Sequence, residues 1–512
     1  MDIISTNPTD EELKEAWKDE YGVSYSKDGK KLLGLPEKGL KEYSVRAGTE
    51  IICDKAFYFC MILEAITIPD TVTAIGESAF DLCFKLKSVN LPDSVTHIGD
   101  SAFHGCMSLR KITIPSSVSS IGEEAFSGCA FQSVSIPDSV MSISERAFAE
   151  CESLQSVIIP GSLTTIEGKA FSKCKSLAAL TIPDSVTAIG DCAFEECKSL
   201  QSVTIPKSVT SIGERAFAKC SSLKSVIIQN SAASIGECAF EDCKSLQSVD
   251  LSNSVTSIGD SAFSRCKSLQ SITIPESVTS LGNWAFSKCL HLESIVIPSS
   301  VTVIKGNPFA YCHAKVDNRS EHFTLFEGNL YTSDRSCLIS YLSRDHGFTI
   351  PDTVTSIGER AFSWCNSLQY VIIPHTVTSI GEGAFELCKF LQSVTIPDSV
   401  TCIGDGMFKC CESLQSIVIP DSVTHIGDGA FWQCSSLQSV VIPDSVTTIG
   451  MMAFEHCESL QSIAIPDSVT SIGNNLLKGC KSLKEVFISH ETYERLKDSL
   501  PKSASDMIKF TD

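Results

Sequence analysis

The residues with most capacity for nucleophilic or metal chemistry are 24 cysteines and 10 histidines. The cysteines are not scattered. Eighteen occupy one position of a recurring unit: Cys60, Cys83, Cys106 and Cys129, then every 23 residues from Cys151 to Cys312 and from Cys365 to Cys480. The single 22-residue step follows Cys129, where a unit has lost one residue. Cysteines in phase with a structural repeat do a repeated packing job, and a free cysteine behaves as a small buried hydrophobe. A disulfide framework and metal binding are the weaker alternatives, since no CxxC pair or histidine-rich cluster is present. The histidines, such as His97, His104 and His425, sit in variable slots, and neither a Ser-His-acid nor a Cys-His arrangement can be assigned. No glycine-rich phosphate loop occurs.

Two rows of acids could bind a hard cation. One follows a proline: Asp70, Asp93, Asp138, Asp184, Asp398, Asp421, Asp444 and Asp467. The other follows a glycine: Glu77, Asp100, Glu123, Glu214, Glu237, Asp260, Glu359 and Glu382. Stacked coils would hold such acids about 5 Å apart, and carboxylate oxygens suit calcium. The structural reading is stronger: Asp after Pro favours a turn, and an acid ahead of Ala-Phe favours the start of a helical turn. No metal or cofactor is called for.

The elements that carry these rows follow from one unit, CKSLQSVTIPKSVTSIGERAFAK from Cys197. In LQSVTIP, Val203 and Ile205 point in and Thr204 out, so the segment predicts a short strand. Pro206 ends it, because proline has no N–H for a ladder. Val209 stays inside through the polar turn. Gly213 is expected to take a backbone conformation costly for other residues. ERAFAKC predicts one helical or 3₁₀ turn, with Phe217 plugging the core. Stacked units would pair their strands in a parallel sheet, and about 17 of them would make a body on the order of 80 Å long. Gln229 and Ser252 replace the proline, and Ser144, Glu167 and Lys305 replace the glycine, so those coils are expected to be looser.

The pattern CxxLxxVxIPxSVTxIGxxAFxx, from Ala56 to Val486 with one break, resembles the BspA-like leucine-rich-repeat family. The resemblance implies a curved right-handed solenoid with a parallel β-sheet on its concave side and short helical or 3₁₀ turns and loops on its convex side. The family's better-known members are surface proteins that bind host or partner proteins.

The expected organisation is an N-terminal helix at 1–20, a hairpin cap at 21–50, a first array at 51–312, a hairpin insert at 313–350, a second array at 351–488 and a helical cap at 489–512. Thr9-x-x-Glu12 fits a capping box. Asp28-Gly29 is a hairpin signal. The insert reads as two strands, Phe323 to Tyr331 and Cys337 to Leu342. Hairpin-plus-array is thus a module used twice, each hairpin sealing a sheet edge. ETYERLKDSL reads as a terminal helix.

A net charge of −20 is a poor match for nucleic acid or anionic membrane. No window of about 18 apolar residues exists to insert into a membrane. The first residues carry acids where a signal peptide needs a basic run and an apolar stretch, so the default localisation is cytoplasmic, with a surface or secreted protein as the alternative. The expected function is a non-enzymatic protein-interaction scaffold working through the concave sheet; the alternative is an adhesin-like protein binding host or neighbouring-cell proteins. The central outward position of the strand is more apolar in the second array. Tyr370, Ile372, Val418, Val441 and Phe487 alternate with core residues, and a contiguous apolar strip marks an interaction surface. The competing reading is that β-branched residues suit strands for their own sake.

If the cysteine column is core, nearly all 24 thiols should titrate as free after denaturation without reductant. Finding most of them as disulfides would overturn both that assignment and the cytoplasmic expectation, because that compartment keeps thiols reduced.

Overall fold

The computed structural model describes residues 5–36, 39–229, 232–497, 500 and 506–511. The chain divides into two compact units, Met1–Val278 with Cys289–Ile295, and Thr279–Lys288 with Val296–Asp512. Each is a stack of short parallel strands with little helix.

The coil from Cys197 shows how the sequence builds the stack. Ser202–Ile205 pairs in register with Ser225–Ile228, which pairs with Ser248–Leu251. Val203 and Ile205 are buried while Ser202 and Thr204 are exposed, the alternation a half-buried strand requires. The strand stops at Pro206, whose carbonyl accepts the Val209 amide at 3.1 Å. A second ladder then appears that periodicity did not reveal. Ser211–Ile212 pairs with Ala188–Ile189 on one side and Ser234–Ile235 on the other. Two residues are too few to register as a pattern, so this segment reads as turn in sequence.

The expected helical turn is absent from this coil. ERAFAKC forms successive β-turns, in which Ala216, Ala218 and Cys220 bond locally to Gly213, Arg215 and Phe217. The alternate amides, Arg215, Phe217 and Lys219, reach the next coil at Glu237, Ala239 and Glu241, at 2.8, 2.8 and 2.6 Å. A helix would have turned all these amides along its own axis; here every second one points to the neighbour. Arg215 and Lys219 adopt φ of 53° and 60° to permit it.

The repeat glycine also has a different reason from the expected one. Gly213 does not have positive φ; a Cβ there would lie 2.6 Å from Asp191 Oδ1 and 2.7 Å from the Gly190 carbonyl carbon. Close approach of consecutive coils, not an unusual φ, excludes a side chain. The coils that lack this glycine keep the cross-coil bond: Glu167 and Lys305 donate their amides to Ile143 and Leu281 at 3.0 and 2.9 Å, and the Ser144 hydroxyl donates to the Ile121 carbonyl at 2.6 Å.

Inside the first unit, Phe148, Phe171, Phe194, Phe217, Phe240 and Phe263 stack with centroids 5.2–5.5 Å apart. In the second, Phe362, Phe385, Phe408, Phe431 and Phe454 do so at 4.8–5.5 Å. The lost residue after Cys129 interrupts both ladders. One second-ladder sheet ends at Ser120–Ile121 and another begins at Ser142–Ile143. Phe131 stands where the repeat has leucine. It is fully buried and meets Phe126 and Phe148 edge-on at 6.3 and 6.4 Å. The turn-face bonds continue through the fault, Phe126 to Ala147 at 2.9 Å and Gly128 to Ala149 at 2.8 Å.

Both hairpin regions are three-stranded antiparallel meanders that end a second-ladder sheet. Near the N-terminus the order is Trp17–Lys18, Ser24–Tyr25, Lys31–Gly34, then parallel to Ile51–Ile52. In the insert it is Phe323–Phe326, Asn329–Thr332, Cys337–Ser340, then parallel to Ser356–Ile357. The insert therefore has three strands where two were expected. Glu327 and Gly328, with φ of 48° and 76°, break the expected Phe323–Tyr331 strand at a two-residue turn of the kind hairpins favour. The two meanders share their turn chemistry. Asp28 and Asp334 each accept an amide two residues on, at 3.0 Å, and Ser26 and Thr332 accept the amides of Lys31 and Cys337 at 2.9 and 3.0 Å. The N-terminal helix has its capping box but spans only Asp10–Lys14. Trp17–Lys18 is drawn into the meander, where Trp17 stacks on Tyr25 at 5.3 Å. At the other end His490–Leu496 is helical as expected. An unexpected strand, Ile508–Phe510, pairs with Glu485–Ile488. Residues 1–4, 498–499, 501–505 and 512 of the two expected caps lie outside the described residues.

Phe217→Ala should lower unfolding free energy by about 3–5 kcal/mol, whereas Glu214→Ala should stay within about 0.5 kcal/mol. Gly236→Ala should cost roughly 1–3 kcal/mol although its φ is ordinary, because the added methyl meets backbone of the previous coil. Denaturant titration with a common slope measures all three, and a neutral Gly236→Ala would refute the close-approach account.

Candidate functional site

The cysteines of the column, and His97 and His104, take places set by the repeat. Most cysteines of the column are buried, with Cys312, Cys365 and Cys480 half-buried, and thiols donate to phenylalanine carbonyls one coil back, as from Cys220 to Phe194 and Cys243 to Phe217 at 3.2 Å and from Cys434 to Phe408 at 3.1 Å. Burial pushes the Cys151 and Cys388 thiols up to about 12, so neither is a thiolate at neutral pH. His97 bonds the Ser120 hydroxyl at 2.6 Å on the second ladder, and His104 bonds Asp81 at 2.8 Å on the turn face. These are separate pairs on different sides of the coil.

Aspartates in this slot, which follows Cys53 in one coil and the repeat glycine in the others, have a defined task. Asp54, Asp100 and Asp191 accept the amides of Glu77, Glu123 and Glu214 in the next coil at 2.8–2.9 Å. Asp405 and Asp428 do the same for Asp428 and Met451 at 2.7 and 2.6 Å. They tie coils together through a side-chain acceptor rather than opening a helical turn. Among the described residues no group of three or more His, Cys, Asp or Glu is arranged to hold a metal ion.

The outward strand face of the second unit carries the residues singled out in the sequence. Its sheet runs Gly347–Thr349, Tyr370–Ile372, Ser393–Thr395, Ser416–Val418, Ser439–Val441, Ser462–Ala464, Glu485–Ile488 and Ile508–Phe510. Val418 and Val441 are direct neighbours in register, and are 79 % and 74 % exposed. Ile372 and Tyr370 are about half exposed. Thr395 stands between Ile372 and Val418 in the same row, so the row is not continuously apolar. Tyr370 lies across the neighbouring strand, where a Cβ on Gly347 would meet its ring. Phe487 is half-buried, set between Ala464 and Lys509. The strip therefore centres on Val418 and Val441, and its Phe487 end is flanked by the terminal strand that sequence did not reveal.

A trench on the turn face of the same unit was also missed. Most coils carry a side chain at the first positive-φ position, as at Arg360 and Met452 (φ 53° and 54°), but three successive coils between them have Gly383, Gly406 and Gly429 (φ 55–57°). The missing side chains leave a cavity of about 410 Å³. Its signal was legible as GEGAF, GDGMF and GDGAF in consecutive units.

A stack of strand-containing coils with a leucine, an Ile-Pro and an Ala-Phe at fixed positions is a leucine-rich-repeat solenoid. The chain belongs to the BspA type leucine-rich repeat family, whose model matches six times, at residues 37–139, 75–201, 119–231, 188–316, 343–435 and 401–510. Similar solved structures include a leucine-rich repeat protein from Eubacterium ventriosum, 26 % identical over 55 % of this chain and 83 % of that one, with a TM-score of 0.44. A leucine rich cell surface protein from Faecalibacterium prausnitzii is 28 % identical over 88 % of this chain and 94 % of that one, with a TM-score of 0.39. A leucine-rich repeat protein from Bacteroides ovatus is 25 % identical over 97 % and 98 %, with a TM-score of 0.31. No curated protein matches the chain. No helix among the described residues is long and apolar enough to cross a membrane.

Alkylation of native protein at pH 8, read by peptide mapping, should mark exposed Cys402 well before Cys151 or Cys388. Those two should react only on unfolding, since a thiol at about 12 is almost wholly protonated there. Equal labelling of all three would contradict the placement of the column in the core.

Proposed function

We propose that this protein is a non-enzymatic scaffold that binds a protein partner through the outward strand face of its second unit. The observation that carries the reading is the pair Val418 and Val441, adjacent in register and 79 % and 74 % exposed. Strand formation does not require them there. The same row in the first unit is filled by Thr204 and Asp250 as well as Ile227, so polar residues form this ladder equally well. Burying apolar side chains on a partner gains about 25 cal/mol per Å², and the surrounding Ser416, Ser439 and Ser462 add hydroxyls without net charge. The partner surface that fits is apolar at its centre and uncharged at its rim. Tyr370 and Ile372 extend the contact on one side and Phe487 on the other.

A second reading, from family membership, is a surface or secreted adhesin using the same face. Protease shaving or labelling of intact cells separates the two, since only an exposed protein is modified.

Val418→Asp or Val441→Asp should weaken a purified partner's binding at least tenfold, while unfolding free energy changes by less than about 1 kcal/mol, because neither side chain is in the core. Ile158→Asp, on an exposed strand position of the first unit, should leave binding unchanged. The assignment fails if Ile158→Asp abolishes binding and the two valine variants do not.

A further inference from the structure

One layer of the second unit is an incomplete coil, and a cavity opens where it stops. Tyr341 fills a phenylalanine slot. Its amide reaches the Ala361 carbonyl at 2.9 Å, as Phe362 reaches Ala384 at 2.8 Å. Its ring lies 5.1 Å from that of Phe362, and its carbonyl lies 3.9 Å from the Cys365 thiol. The next residues leave the coil. The side chain of Asn329, itself fully buried, accepts the Leu342 and Ser343 amides at 2.8 and 3.0 Å and draws the chain aside. Arg344, three residues on from Tyr341 as Cys365 is from Phe362, is exposed, so the cysteine column skips this layer. The result is a cavity of about 120 Å³ lined by Cys312 and Cys365 among others, and every lining residue belongs to the second unit.

The lining departs from the repeat. Tyr311 and Trp364 occupy the slot before the column cysteine, where Lys173 and Lys219 stand in ion pairs in the first unit. Their rings lie 6.4 Å apart, and with Phe309 and Tyr341 they make the walls aromatic. Asn366 Oδ1, in the same lining, is buried without a hydrogen-bond partner. The Tyr311 amide also has no partner among the described residues, although the same amide elsewhere reaches the next coil, as from Lys219 to Glu241 at 2.6 Å. A buried polar atom left unpaired is destabilising, so an occupant that brings one donor and one acceptor removes both deficits. Water would meet the two polar atoms and leave the rings without contacts. A cavity of roughly 150 Å³ accommodates benzene, so a single six-membered ring is the right scale here and a fused pair is too large. We infer that this cavity binds a phenol, its ring against Phe309, Tyr341 and Trp364 and its hydroxyl donating to Asn366 Oδ1 and accepting from the Tyr311 amide. The same chemistry comes from a free phenol or from the tyrosine side chain of a partner. The cavity lies among turns, apart from Val418 and Val441, and does not depend on the strand-face reading.

NMR titration of the full chain with p-cresol, and separately with toluene, tests it. p-Cresol should bind saturably at one site and at least tenfold more tightly than toluene, which has the ring without the hydroxyl. Asn366→Leu keeps the shape of the side chain and removes the acceptor. It should cut that preference to less than threefold, and the toluene that still binds reports an intact fold. Leu342→Phe fills the cavity from a half-buried position and should weaken both ligands at least tenfold, so the site stays testable if the leucine variant does not fold. Competition with a Gly-Tyr-Gly peptide separates the sources: displacement of p-cresol assigns the site to a partner's tyrosine, and failure to displace it assigns the site to a free phenol. The inference is overturned if p-cresol gives no saturable binding, the outcome for a cavity that holds water only. It is also overturned if toluene binds as tightly as p-cresol, if the preference survives Asn366→Leu, or if Leu342→Phe leaves both affinities unchanged.

Discussion

The hydrogen bond from a turn-face amide to the next coil, as from Phe217 to Ala239 at 2.8 Å, sets the terms for everything else in this molecule. It fixes the distance between coils at a point where the chain is not a strand. Once that distance is fixed, no Cβ fits between Gly213 and the Gly190–Asp191 peptide, phenylalanine rings must lie face to face near 5 Å, and an aspartate such as Asp191 can reach the following amide. The bond also survives where the strand ladders do not, across the 22-residue unit. The turn face, which looks irregular, is the most persistent element of the stack.

The apolar residues of the coil were legible because they repeat: Val203, Ile205, Ile212, Phe217 and Cys220 are all buried. So were the capping box at Thr9 and the hairpin turn at Asp28, which rest on local chemistry alone. What escaped was whatever depends on a neighbouring coil. The Ser211–Ile212 strand is too short to show a period. The positive φ at Arg215 and Lys219 carries no glycine to announce it, because the cross-coil bond, not the residue type, imposes it. The glycine column was recognised but given a conformational reason, since a sequence does not show that another backbone lies 2.7 Å from an imagined methyl. The exposed valines could be read from alternation, whereas the strand beside Phe487 could not, being three residues at the chain's end.

The two surfaces differ in kind. The strand face is a sheet whose outward row varies from coil to coil, so the chemistry of that face is set by side chains laid on an invariant ladder. The turn face is crowded with paired charges, such as Arg215 between Glu195 and Glu241, and the trench at Gly383, Gly406 and Gly429 opens where side chains are omitted. A repeat fold can therefore diversify by addition on one side and by deletion on the other, with the core untouched.

The twin meanders bear on how so long a chain finds its structure. Contacts within Trp17–Gly34 or within Phe323–Ser340 are separated by few residues and close rapidly, whereas a lone coil has nothing to pair with. Each meander supplies a finished strand, Lys31–Gly34 or Cys337–Ser340, on which the first coil can template, and every later coil adds at the same short separation. The chain thus holds two growth points rather than one, and a coil misaligned near the first need not be inherited by those that grow from the second.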